Sequence, residues 1–391
     1  MTNGPVIQMP QRRRVVLLGA TGSIGRQACD VIARFPQHFQ LVGAVAGTDV
    51  EALRDVVERF HVERSAVVNP SDAAVLPSGC GRGLEAACEI AAMDADVVCV
   101  AITGAAALRP TLSAVDAGSV VATATKEVLV MAGELVRQRA QASGARIIPI
   151  DSEHSALWQC LRGEEMSSVR RVVLTASGGP FLTLPLTEFA GITTAQALAH
   201  PTWNMGKKIT IDSATMMNKG LEIIEAHFLF DIDYPRIEVA IHPKSIVHSY
   251  VEFCDGAIVA QLGVPDMRVP IALALAGGER LADVGPPLEL RGGPDLQFMA
   301  VDGQRFPAVG LARSAGERGG LHPAVLNAAN EVAVESFLAG AFRFDELIPI
   351  VAEAVEQTPA TQRASLDDIL AADAWARQLV RAHVGHGVAT A

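Results

Sequence analysis

The chain has 391 residues, half of them apolar and 19% charged, more than one hydrophobic core organises and suited to two or three globular domains. A net charge of −11 argues against a nucleic-acid groove, and no apolar run is long enough to cross a bilayer. Six cysteines (Cys29, Cys80, Cys88, Cys99, Cys160, Cys254) with no Cys-x-x-Cys pair exclude a disulfide framework or zinc knuckle as the organising feature. The opening Met-Thr-Asn-Gly-Pro lacks the basic-then-apolar layout of a secretory signal, so a cytoplasmic protein with no nucleic-acid or membrane partner is expected.

In chain order, an apolar strand from Arg14 runs into glycines at Gly19, Gly22 and Gly25 and then into a helix over 26–34. That order is the one a dinucleotide cradle needs, because a pyrophosphate requires backbone N–H donors and a helix N-terminus at close range, and only residues without Cβ allow the approach. The same glycines would also serve a tight turn. Short apolar runs at 41–46, 65–69, 96–102, 119–123 and 146–150 then alternate with amphipathic stretches, which predicts an α/β fold with a doubly wound parallel sheet over residues 1–150. Ligands of such a sheet lie beyond the carboxyl ends of its strands, placing Gly47, Thr103-Gly104, Thr125-Lys126-Glu127 and Asp151 around one crevice.

Over 151–285 the texture changes to an α+β domain, with a strand at 171–176 and two runs, 237–241 and 245–253, that alternate in the manner of an antiparallel pair. A segment rich in Gly and Pro, Gly278 to Pro294, leads into helical periodicity at 324–339 and 344–355, so residues 286–391 are expected to form a linker and a C-terminal helical domain.

Asp151 and Glu153 are two apart, so in extended chain both carboxylates face one side, a natural site for a hard divalent cation. The spacing equally suits an Asp N-cap with a nearby Glu opening a helix. Further along, Ser213, Asn218 and Lys219 offer the hydroxyl, amide and ammonium donors that grip a terminal phosphate, and Glu222 adds a third carboxylate on the helical face shared with Glu225. Taken singly, Lys219 or Glu225 also suits a solvated helix start. His200 beside Pro201 and Trp203, in a long segment containing Gly and Lys, suggests a mobile lid.

Gly19-Ala-Thr-Gly-Ser-Ile-Gly25, Lys126-Glu127, Asp151-Ser-Glu-His-Ser-Ala156, Ala176-Ser-Gly-Gly-Pro-Phe181, His200-Pro-Thr-Trp-Asn-Met205, Ser213 to Glu225, His242-Pro-Lys-Ser245 and Leu326-Asn-Ala-Ala-Asn-Glu331 together resemble the 1-deoxy-D-xylulose 5-phosphate reductoisomerase family over nearly the whole chain. The resemblance implies a Rossmann-like NADPH domain, a central catalytic domain with a flexible loop near 177–207, a C-terminal helical domain and a homodimer. It implies that Asp151, Glu153 and Glu222 hold the divalent metal (Mg²⁺, Mn²⁺ or Co²⁺). Ser177, His200, Ser213, Asn218 and Lys219 would hold the phosphate of a small sugar substrate, with Lys126 and Ser152 at its reacting portion and Trp203 as the lid's apolar plug. It also implies catalytic work for Lys126, Glu153, His200 and Glu222, and cofactor contacts from Gly19, Thr21, Gly22, Ser23, Ile24, Gly47, Thr125, Glu127 and Gly206. The family rearranges the carbon skeleton by retro-aldol cleavage and re-addition to an aldehyde, which hydride from NADPH reduces to 2-C-methyl-D-erythritol 4-phosphate.

The chain departs from the family pattern in three places: Thr125 stands for an Asn, Lys244 for a Gln, and the pair Thr48-Asp49 where some members carry a Lys or Asn for the 2′-phosphate. An acid near the ribose ordinarily favours NAD over NADP. Other classes fit less well. A short-chain dehydrogenase needs a Tyr with Lys four residues on, but Glu238 and Cys254 follow Tyr234 and Tyr250 at that spacing. A semialdehyde dehydrogenase needs an activated cysteine, and Cys254 stands beside Asp255, whose charge disfavours a thiolate. A non-catalytic dinucleotide-binding redox sensor has no use for three convergent carboxylates.

Overall fold

Val15, Val16, Leu17 and Leu18 are fully buried, as a strand covered on both faces by helices requires. The computed structural model containing them describes residues 12–71, 75–203, 205–293, 295–361 and 363–387. The opening pentapeptide, Asn204 and Pro294, which the sequence reading used, lie outside these residues.

The elements follow in chain order. They begin β1 (Arg13–Leu18), α1 (Ser23–Arg34), β2 (Phe39–Ala46), α2 (Val50–Phe60), β3 (Arg64–Val67), β4 (Gly81–Arg82) and α3 (Gly83–Ala91). Next come β5 (Val97–Val100), α4 (Leu108–Asp116), β6 (Val120–Thr123), α5 (Lys126–Ser143), β7 (Arg146–Pro149), α6 (Ser152–Cys160) and β8 (Val169–Ala176). Then follow α7 (Thr194–Ala197), α8 (Lys207–Thr215), α9 (Met217–Phe230), β9 (Ile237–Ile241), β10 (Val247–Phe253), β11 (Ile258–Leu262) and α10 (Arg268–Leu275). The chain closes with β12 (Met299–Ala300), α11 (Pro307–Arg318), α12 (His322–Leu338), α13 (Leu347–Glu356) and α14 (Leu366–Gly387).

Two units divide the chain. The first comprises residues up to 125 together with 139–150 and 267–285. Its sheet is seven-stranded and parallel throughout, ordered β4-β3-β2-β1-β5-β6-β7, so the order reverses at β1 as in a doubly wound fold. Its core joins Phe39, Leu41, Leu53, Ile148 and Ile150 to Ile271 and Leu275 of α10, a helix far away in sequence.

The second unit comprises residues 126–138, 151–266 and 286 onward. Its five-stranded sheet runs β11-β10-β8-β9-β12, with β8 and β9 parallel and the other pairs antiparallel. The runs over 237–241 and 245–253 therefore do not pair with each other: β8 lies between them. Alternation along a strand says which face is buried, not which strand lies alongside. Phe344 meets Phe181, Phe189 and Phe337 edge to face in an aromatic cluster. Among the described residues no helix is long and apolar enough to cross a membrane, and all six cysteines are free.

Candidate active site

In the first unit the turn after β1 is built for close approach. Gly19 has φ +92°, and a Cβ there would stand 2.4 Å from the Ala101 carbonyl oxygen; one at Gly25 would stand 2.1 Å from the Gly19 oxygen. Both positions therefore require glycine. Gly22 is the N-cap of α1 and brings no side-chain acceptor, and the first turn carries no acid, so the amino end of this helix is left open to an anion. Thr21, Ser23 and Ile24 lie in or directly after this turn, while Gly47 and Thr125 follow the carboxyl ends of β2 and β6. Thr125 turns inward and donates its hydroxyl to the Ile102 carbonyl at 2.6 Å. Asp49 caps α2, accepting from the Ala52 N–H at 3.0 Å, so its carboxylate is engaged by the chain itself.

In the second unit, three acids converge. Asp151, Glu153 and Glu222 each present a carboxylate oxygen within 4.8 Å of the others. The geometry differs from the extended-chain expectation, because α6 begins at Ser152: Asp151 is its N-cap, accepting from the Glu153 N–H at 3.3 Å, and still points its second oxygen at Lys126. The helix cap and the pairing with Lys126 use different oxygens of one carboxylate. Glu222 arrives from α9 and is fully buried.

Two lysines hold these acids. Lys126 Nζ donates to Asp151 Oδ2 at 2.5 Å, Glu222 Oε1 at 2.8 Å and Asn218 Oδ1 at 3.0 Å. Lys219 Nζ donates to Glu153 Oε1 at 2.7 Å and also to Glu222 Oε2. Burial works against both ammonium groups, yet Asp151 and Glu222 keep Lys126, and Glu153 and Glu222 keep Lys219, above their ordinary values. Burial would likewise raise Asp151, but Lys126 and His154 hold it well below the usual carboxylate range. Burial and Glu222 push Glu153 up to about 7, and Ser152 Oγ donates to its Oε2 at 2.5 Å.

Asn218 and Lys219 are thus turned into the acid cluster, while Ser213 sits apart from them on α8. A second grouping lies beyond β8. Gly178 and Gly179, with φ of +85° and +66°, fold the chain so that Ser177 Oγ accepts from the Gly179 N–H at 3.2 Å, and a Cβ at Gly179 would stand 2.7 Å from the Ser213 carbonyl oxygen. His200 Nδ1 accepts from the Thr202 and Trp203 N–H groups at 3.1 and 2.9 Å, which leaves the proton on Nε2, 3.1 Å from Ser177 Oγ. Burial pushes His200 down, consistent with that neutral tautomer. The Trp203 ring lies 6.4 Å from that of His248.

Gly206 is the N-cap of α8, and Lys208 in its first turn donates to Glu127 Oε1 at 3.1 Å and pairs with Asp212 at 2.7 Å. Asn330 of α12 holds the other oxygen of Asp212 at 2.8 Å. Sequence reasoning did not single out Lys208, nor His154, whose Nδ1 stands 3.3 Å from Asp151 and 3.2 Å from Glu225. Burial opposes the His154 imidazolium, but Glu225 and Asp151 together push it up to about 9. The one local signal was the three-residue spacing of Glu222 and Glu225.

A parallel sheet with a glycine turn in one unit and a buried cluster of acids and lysines in the other define the chain as a nucleotide-dependent oxidoreductase. Three family models match it: 1-deoxy-D-xylulose 5-phosphate reductoisomerase over 15–133, the C-terminal domain of that enzyme over 147–230, and the DXP reductoisomerase C-terminal domain over 262–379. The 1-deoxy-D-xylulose 5-phosphate reductoisomerase of Thermomicrobium roseum is 47% identical, covering 96% of this chain and 99% of that protein, and one from Pseudomonas putida is 48% identical over 94% and 97%. Among solved structures, the reductoisomerase from Zymomonas mobilis in complex with NADPH superimposes with a TM-score of 0.88 at 41% identity, covering 96% of this chain and 99% of that one. A DOX-P reductoisomerase in complex with NADPH, fosmidomycin and magnesium gives 0.89 at 38% identity, covering 95% and 98%. The chain belongs to the 1-deoxy-D-xylulose 5-phosphate reductoisomerase family.

Proposed function

We propose that this chain rearranges and reduces 1-deoxy-D-xylulose 5-phosphate to 2-C-methyl-D-erythritol 4-phosphate, using NADPH and a divalent cation, in the non-mevalonate route to isoprenoid precursors. The observation that carries the reading is the meeting of Asp151, Glu153 and Glu222 within 4.8 Å, in a family with solved members that hold NADPH and magnesium. These donors fit a hard cation: all are carboxylate oxygens, and burial together with the neighbouring charge of Glu222 pushes Glu153 up to about 7, a cost that a cation would offset. The glycine turn fits a pyrophosphate, since a side chain at 19 or 25 would collide with the backbone. Capping of α2 by Asp49 supports NADPH, because that acid is committed to the helix rather than to a ribose hydroxyl.

When bound, NADPH supplies the hydride and the cation, Mg²⁺, Mn²⁺ or Co²⁺, polarises the substrate's carbonyl and hydroxyl oxygens. Asp151, Glu153 and Glu222 hold that cation. Lys126 and Lys219 hold the acids together through their N–H groups, and with a cation on the carboxylates those donors would be available to substrate oxygens, Lys126 at the reacting portion beside Ser152 and Lys219 at the phosphate. Ser177, Ser213, Asn218 and the Nε2–H of His200 complete the phosphate grip. The segment 177–207 is the flexible loop, and Trp203 on it excludes water from the reacting carbon atoms. The protein works as a homodimer in the cytoplasm; exposed Ile258 and Val259 on β11, at the edge of its sheet, are apolar surface that a second copy would cover.

The test follows NADPH absorbance with the phosphorylated ketose, with and without chelator, for the parent and for Glu222→Gln. Chelator abolishes turnover, and the variant loses at least about 100-fold in rate while NADPH still binds it, as read by nucleotide fluorescence. Unchanged rates in both would overturn the cation assignment.

A further inference from the structure

The acids of the cation site come from two separate elements, Asp151 and Glu153 from the start of α6 and Glu222 from α9, and something must keep the two in register. His154 is the side chain that does so. It belongs to α6, is fully buried, and is fastened to α9 at three points. Its Nε2 meets the Glu222 main-chain oxygen at 3.0 Å, its ring stacks on Phe230 at 6.3 Å with planes 9° apart, and its Nδ1 faces Glu225 Oε2 at 3.2 Å. The same Nδ1 lies 3.3 Å from Asp151 Oδ1.

Glu225 is the unusual member. It is fully buried, and among the described residues neither its oxygens nor the His154 Nδ1 that faces them makes a regular hydrogen bond, so the two groups are held together as an ion pair at 3.2 Å. An acid kept dry with one partner costs stability, and replacing it with an apolar residue of like volume would often relieve that cost. What it supplies here is placement. With the carbonyl of Glu222 on one ring nitrogen, Phe230 stacked on the ring and the charge of Glu225 facing the other nitrogen, the imidazole is kept against Asp151, within ion-pair reach of it.

We infer that Glu225 is a positioning residue for the cation site, fixing through His154 the carboxylate of Asp151 that grips the metal. The inference rests on the function proposed above. A competing use of the same atoms exists, because Asp151, His154 and Glu225 also bring ligand atoms within 4.8 Å of one another and would then hold a second cation. Stoichiometry separates the two.

Mn²⁺ is titrated into parent, Glu225→Gln and Glu225→Asp protein and the free ion is counted by electron paramagnetic resonance, with NADPH affinity and far-ultraviolet circular dichroism measured alongside. The parent takes up one Mn²⁺ per chain. Glu225→Gln binds it 10- to 100-fold more weakly, the usual range for loss of a partner behind a metal ligand, with NADPH affinity unchanged and kcat largely recovered at saturating Mn²⁺. Glu225→Asp, which keeps the charge, regains part of the affinity and carries the comparison if the Gln variant does not fold. Equal Mn²⁺ affinity in parent and variants overturns the inference, as does a second Mn²⁺ that disappears with Glu225. A parent that binds no Mn²⁺ instead overturns the cation assignment itself.

Discussion

His248 is buried on β10, and burial, His242 and Lys219 push its imidazole down to about 4. The unfolded chain takes up a proton near 6.5 that the folded chain refuses until about 4, so folding stability is fully present above about 6.5 and is lost as pH falls through that window. The contribution at stake is about 3 kcal/mol. Thermal melts of the parent should therefore shift downward between pH 6.5 and 4, and those of His248→Gln should shift less over the same range; parallel curves would refute the assignment. At this scale the sequence discloses residue types and short spacings well. The spacing of Asp151 and Glu153 suits a helix cap as well as a cation site, and it is the family resemblance that joins them with Glu222 as one set. The meeting of His154 with Glu225 is not legible, because the two are far apart in sequence and no local period links a helix start to the middle of another helix.

Among the elements, α9 carries Asn218, Lys219, Glu222 and Glu225, and its placement depends on Gly220. A Cβ at Gly220 would stand 2.6 Å from the Ala312 Cβ and 3.1 Å from the Ala308 carbonyl oxygen, both on α11. Gly220→Ala should therefore force the two helices apart and lower stability by about 1–3 kcal/mol despite the better helix former. Gly310, exposed on α11 with no atom near its would-be Cβ, is the control: Gly310→Ala should raise the melting temperature slightly. If both substitutions stabilise, the close approach is not tight. The strand, glycine turn and helix at the amino end are legible because each has its own local signature. The pairing of β8 with both β9 and β10 is not, since a strand's partner is chosen by the assembled sheet. The edge strand β11 also escaped notice, because none of its five residues is buried and it shows no alternating buried face.

For the whole molecule, self-association is the property most open to measurement. Ile258 is 60% exposed and Val259 41% on β11, an edge of the second unit's sheet. Unpaired backbone groups with apolar side chains invite another strand. The parent should sediment as a dimer at micromolar concentration, and Ile258→Lys with Val259→Lys as a monomer; a monomeric parent would dismiss the homodimer.

Making the protein sets a different constraint. The first unit's sheet is complete at β7, but its core includes Ile271 and Leu275, which enter only with the segment 267–285. Ribosomes add roughly 5–20 residues each second. The parallel sheet therefore emerges several seconds or more before the helix that seals it, and must wait, part of its apolar face bare, until the intervening polypeptide has been translated.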